Sequence, residues 1–150
     1  MSATTVPFPA QSRMFGKYFE YNRYSEVLTA MDGMLAALPD GQACVLSTLD
    51  GHRLAHSAAP MLDSVRLAAV SSSLYGMAQT LTRDLCQQGL VEVKLRTETG
   101  STLIQRLPRP AHQLVLLVAC GSLTETAHCT ELVRGYASTI ATLCLPPQDR

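Results

Sequence analysis

The chain has 150 residues, a length typical of one domain with a single hydrophobic core. Apolar residues make up 47% of it and charged residues only 16%, which excludes a disordered chain and suggests that some apolar surface meets a partner. Twelve basic and twelve acidic residues cancel to a formal charge of zero, so nucleic acid is an unfavourable partner, and the absence of Trp leaves few stacking platforms for single strands.

Cysteine spacing and hydropathy indicate the cellular compartment. The five cysteines are odd in number and form neither a C-x-x-C pair nor a paired zinc spacing, which argues against a disulfide scaffold. The sequence has no run of about 18 apolar residues, so no membrane insertion is predicted. Its first residues do not show a basic segment followed by an apolar one, the pattern of a signal peptide. We therefore expect a soluble cytoplasmic protein without a cofactor.

The sequence suggests one domain between two short ends. Residues 1–23 show no sustained helical or strand period and are predicted to form an N-terminal arm. The aromatic second half of this arm either docks on the domain or a partner or belongs to a flexible tail. The domain is predicted to span residues 24–145 and the C-terminal tail residues 146–150.

Hydrophobic periodicity predicts three helices and five strands. In chain order they are a helix from Ser25, as the N-cap, to Leu38, strands at 43–48 and 53–57 joined by Asp50-Gly51, a helix at 64–86 after Asp63, strands at 90–96, 101–107 and 113–120, and a helix from Thr124 or Thr126 to Cys144. The last strand is apolar on both faces and should lie centrally. The order α-β-β-α-β-β-β-α predicts an α+β fold in which a five-stranded antiparallel sheet carries helices on both faces.

Three segments in this order resemble the roadblock/dynein light chain family. They are Cys44-Val45-Leu46-Ser47-Thr48-Leu49-Asp50-Gly51 on a hairpin, the small-residue helix Leu67-Ala68-Ala69-Val70-Ser71-Ser72-Ser73-Leu74, and Val91-Glu92-Val93-Lys94 before Thr99-Gly100-Ser101. The resemblance covers about residues 24–145. It implies a non-enzymatic homodimer in which the second helices and third strands of two subunits meet about a two-fold axis. It also implies a role as a platform for small Ras-like GTPases, as a regulator of bacterial polarity GTPases, or as a light chain of a larger complex.

The second predicted helix supports a dimer independently, because its small flank offers a self-complementary patch beside an exposed strand edge. The residues expected at the dimer interface are Ala69, Ser72, Ser73, Gly76, Val91 and Val93. In the alternative arrangement the small flank packs inside the subunit, and Leu74, Met77 and Leu81 face the partner. A GTPase placed across the paired helices, as the resemblance implies, would meet Tyr75, Gln79, Thr82 and Arg83; these residues could equally form a solvated helix face.

The histidines and cysteines do not form a convincing reactive site. His52 and His56 share a strand face near Cys44, but a zinc site needs three or four ligands, so we predict surface histidines and no metal. Cys120 and Cys129, with His128 nearby, are expected to be inert, because a reactive thiol needs an electropositive, partly exposed setting.

No catalytic signature is present. The chain contains neither a G-x-S-x-G elbow nor a G-x-x-x-x-G-K-[ST] phosphate loop, so we predict neither a hydrolase nor a GTPase. The sequence thus favours a binding platform. The alternative function is a small-ligand-binding sensory domain with a profilin-like or sensor-like α+β fold, which would require a pocket with a few convergent polar groups.

Overall fold

A computed structural model describes residues 12–121 and 126–146. The helices are α1 (Ser12–Tyr18), α2 (Tyr24–Ala37), α3 (Ser64–Asp84) and α4 (Thr126–Thr142), and a single 3-10 turn at Tyr21–Arg23 precedes α2. The strands are β1 (Gly41–Thr48), β2 (Arg53–Ala58), β3 (Glu92–Arg96), β4 (Ser101–Arg106) and β5 (Leu114–Cys120).

The five strands form one antiparallel sheet in the order β2-β1-β5-β4-β3. Strand β5 is central, as its apolar run predicts, and β2 and β3 are the two edges. The predicted α+β fold is therefore confirmed. Each predicted strand is present, with ends that differ by at most two residues.

The sheet separates two apolar layers of unequal size. Helices α1, α2 and α4 cover one face and enclose the larger core, to which β5 contributes alternate residues such as Leu114 and Leu116. Helix α3 covers the other face over a smaller core that contains Val115, Leu117 and Tyr75. The alternation along β5 explains why this strand is apolar on both sides.

The second half of the predicted arm packs on the domain. Phe15 and Phe19 are fully buried in the larger core, with ring centroids 4.9 Å apart. The amide of Leu145 donates a hydrogen bond to the carbonyl of Tyr18, and an isolated bridge joins Phe19 to Cys144. The limits of the arm and the domain stay a prediction, but Phe15 and Phe19 belong to the same core as the residues that follow the arm.

The predicted helix ends are right at one site and wrong at two. Asp63 is the N-cap of α3, since its side chain accepts a hydrogen bond from the amide of Arg66 at 3.2 Å. Ser25 is not the N-cap of α2, because the preceding 3-10 turn leads the chain into the helix and puts Arg23 at that position. Helix α3 ends at Asp84, two residues earlier than predicted, and Cys86 adopts a φ of 59° beyond it.

Candidate interaction surface

Helix α3 and strand β3 carry a continuous set of exposed large apolar side chains, which we call the apolar face. It consists of Val70, Met77 and Leu81 on α3, Leu85 directly after it, and Val91 and Leu95 at or beside β3. Between 42% and 69% of each of these residues is exposed. Large side chains grouped in this way mark contact sites far more often than apolar residues scattered singly.

The helix turns this face outward because its other face fits the sheet. Ala68, Ser72 and Tyr75 recur at intervals of three and four residues and are buried against the sheet. The hydroxyl of Ser72 donates to the carbonyl of Thr48 at 2.8 Å and lies 3.3 Å from the hydroxyl of Ser47. Small side chains with satisfied hydroxyls let the helix lie close to the strands.

The residues predicted at a dimer interface divide into two groups. Ala69, Ser73 and Val91 are exposed, Gly76 is partly exposed, and a Cβ added to Gly76 would meet no atom within 4 Å. These four are placed where a partner could reach them, and their role stays a prediction.

The other two predicted interface residues lie partly or wholly inside the subunit. Ser72 is only 5% exposed and is hydrogen-bonded to β1, so its predicted outward position is wrong. Val93 is partly buried against the smaller core. Of the three residues that the alternative arrangement turns toward a partner, Met77 and Leu81 are exposed, whereas Leu74 packs partly against the smaller core; their contact with a partner stays a prediction.

The residues predicted to meet a GTPase also differ in placement. Tyr75 is fully buried, and its hydroxyl donates to the carbonyl of Leu90 at 2.5 Å, so the prediction that it faces outward is wrong. Burial raises the pKa of the Tyr75 phenol. Arg83 is exposed, whereas Gln79 and Thr82 are half-buried near the end of α3.

Val70 belongs to a stripe of large apolar side chains on α3 that the sequence alone does not place inside or outside the subunit. Its spacing from Leu67 and Leu74 matches a core stripe, and nothing in a single helix distinguishes an inward stripe from an outward one. The usable signal was the presence of two stripes on one helix, one small and one large. A lone domain can bury only one of them.

Strand β3 extends the apolar face to an edge of the sheet. It pairs with β4 on one side and is the last strand on the other. An open edge presents unpaired backbone groups to a further strand. The apolar face and this edge therefore lie beside each other on the molecule.

The cysteines and histidines show no metal or nucleophile site in the described residues, where no three His, Cys, Asp or Glu side chains group together. Cys44 is fully buried, and desolvation followed by the charge of Asp32 raises the pKa of its thiol. Desolvation also raises the pKa of Cys120 and lowers that of His56.

None of the helices described is both long enough and apolar enough to cross a bilayer.

Comparison with known families agrees with this architecture. The model of the Roadblock/LC7 domain matches residues 29–118, which is more than half of the chain. The protein therefore belongs to the Roadblock/LC7 domain family. No curated protein matches its sequence.

Solved structures share the fold at low sequence identity. A Roadblock/LC7 domain from Streptomyces avermitilis superposes with a TM-score of 0.69 at 15% identity, over 76% of this chain and 93% of that one. MglB from Myxococcus xanthus gives 0.70 at 11% identity, over 79% and 87%. The gliding protein MglB from Thermus thermophilus gives 0.68 at 14% identity, over 80% and 89%. At these identities the similarity establishes the fold alone.

Proposed function

We propose that this protein is a non-catalytic cytoplasmic homodimer that binds a small Ras-like GTPase and regulates it or serves as a scaffold in its complex. The observation that supports a dimer is the apolar face, which is exposed to water in a single subunit. Membership of the Roadblock/LC7 family supports the proposal, since the resemblance implies dimers that serve as GTPase platforms.

The dimer follows from the position of the apolar face. A two-fold contact uses the same patch on both subunits, so a face built from one helix and one strand edge can cover itself. Met77 and Leu81 lie in the second half of α3, and Val91 lies beside the edge strand. Pairing of this kind buries the large side chains of both copies and leaves the larger core untouched.

One substitution, compared with the wild type, tests the dimer and its location. Gly76→Arg adds a long charged side chain where a Cβ meets no atom of the same subunit, so the variant should remain folded. Wild-type protein should have the mass of a dimer by light scattering, and Gly76→Arg that of a monomer with an unchanged circular dichroism spectrum. A wild-type monomer would exclude the proposal, and a variant that stays dimeric would move the interface elsewhere.

Regulation of a GTPase requires that the dimer prefer one nucleotide state, because a ligand shifts an equilibrium only through its differential affinity. The wild-type dimer should capture a small GTPase from lysate of the source cells more strongly with GDP than with a non-hydrolysable GTP analogue, or the reverse. Equal capture would leave a scaffold role and exclude regulation, and no captured GTPase would contradict the platform. Arg83→Ala tests the predicted contact at the end of α3, with Thr139→Ala on the exposed side of α4 as the control.

A further inference from the structure

A cleft of about 490 Å³ lies away from the centre of the apolar face, at the end of strand β4. Three separate stretches of chain surround it: residues 89–91 before β3, the loop at 108–112 after β4, and α4 at Arg134 and Ser138. Its volume is within the range of sites that hold small organic ligands. The function proposed above makes no use of this cleft.

The cleft combines positive charge with an apolar wall. Arg106, Arg109 and Arg134 line it, and Leu90 and Pro108 supply carbon surface. The guanidinium of Arg106 is fixed there because its Nε donates to the carbonyl of His112 at 2.6 Å. A guanidinium held in place loses less conformational freedom when it binds an anion.

Two of the three arginine charges are not neutralised. Arg134 lies 3.7 Å from a carboxylate oxygen of Glu92, which also has Lys94 at 3.9 Å. Arg106 and Arg109 form no ion pair with a carboxylate within residues 12–121 and 126–146. The cleft therefore has two positive charges that an anion could use.

A buried polar group in the wall lacks a partner. Gln105 is 2% exposed and lines the cleft, and its Oε1 atom accepts no hydrogen bond. The Nδ1 atom of His112, also in the wall, has no partner either. Both atoms are almost completely closed to solvent, so they lie beneath the lining of the cleft and are not in reach of a ligand there.

We propose that this cleft binds a small organic phosphate. A phosphate dianion matches in charge the guanidinium groups of Arg106 and Arg109, which form no ion pair with a carboxylate in the described residues, and accepts hydrogen bonds from both. The carbon skeleton of the ligand lies against Leu90 and Pro108. Dimerisation is not required, although Val91 belongs to both the cleft wall and the apolar face.

The test follows the backbone amides of residues 105–112 by ¹⁵N NMR during titration with ribose 5-phosphate and with AMP. At least one of them should produce saturable shifts at millimolar concentration, whereas ribose and adenosine should produce none. Arg109→Gln should weaken binding at least about tenfold, the loss expected for one charge-assisted hydrogen bond. Arg83→Gln, an exposed arginine on α3, should bind as wild type.

Several results would overturn the assignment. These are the absence of saturable shifts with both phosphates, equal affinity of the Arg109 and Arg83 variants, or equal binding of ribose and ribose 5-phosphate. Tighter binding of the dicarboxylate glutarate would exclude phosphate as the preferred anion, and equally tight inorganic phosphate would exclude recognition of the organic part. Arg109 is exposed, so its substitution should not unfold the protein, and circular dichroism checks this.

Discussion

Replacement of Met77 by Ala should weaken the proposed dimer by an amount that the exposure of Met77 sets. The residue is 69% exposed in the subunit. Full burial of a Met side chain is worth about 1.5–3 kcal/mol, so covering the exposed part is worth about 1–2 kcal/mol. A two-fold interface contains the residue twice, which makes the expected loss about 2–4 kcal/mol per dimer, or roughly 30- to 800-fold in the dissociation constant.

Sedimentation equilibrium over a dilution series measures this constant directly. Thr139→Ala, at an exposed position of α4, is the matched control and should dissociate as wild type does. If Met77→Ala and Thr139→Ala gave the same dissociation constant, Met77 would not lie in the interface. The apolar face would then have to be covered by a different molecule.

Three further substitutions or reactions test the structure around α3 and the thiols. Tyr75→Phe should lower the free energy of unfolding by about 1–3 kcal/mol in a urea titration, because a buried carbonyl loses its hydrogen-bond donor. Gly76→Ala should raise the free energy of unfolding by about 1 kcal/mol, since an added methyl meets no atom and favours the helix. The urea titration is done in the Met77→Glu background, which is expected to be monomeric. A loss of stability would show a hidden clash. Iodoacetamide should label exposed Cys86 well before Cys44, whose burial raises the pKa of its thiol, and early labelling of Cys44 by mass spectrometry would contradict the packing.

The sheet could be predicted from the sequence because the apolar pattern of each strand shows which of its faces are buried. Strand β5 is apolar on both faces only because two layers cover it, and the Asp50-Gly51 turn fixes the neighbouring hairpin. Residues 12–23 gave no such signal, since a seven-residue helix followed by a 3-10 turn is too short to establish a period. Burial of Phe15 and Phe19 depends instead on contacts with distant residues.

The rotation of α3 about its axis could not be predicted, although its N-cap could. Helix α3 has one stripe of small and one stripe of large side chains, and either could pack on the sheet because both follow helical spacing. The choice depends on how closely the helix lies against β1, where the hydroxyls of Ser47 and Ser72 meet. The cleft at the end of β4 was equally invisible, because its walls come from three stretches that are close only in the folded chain.

The arrangement of α3 connects the fold to the proposed function. A helix that packs serines and alanines inward gives up some apolar burial within its own subunit, and the polar groups that it buries must find partners there. Ser72 and Tyr75 do find them, on Thr48 and Leu90. Met77, Leu81 and the other large side chains outside the core then remain exposed to water. This exposure is unfavourable, and only a second molecule can remove it. The inward and outward faces of this helix are therefore linked, and in the proposed dimer association buries the apolar side chains that folding leaves exposed.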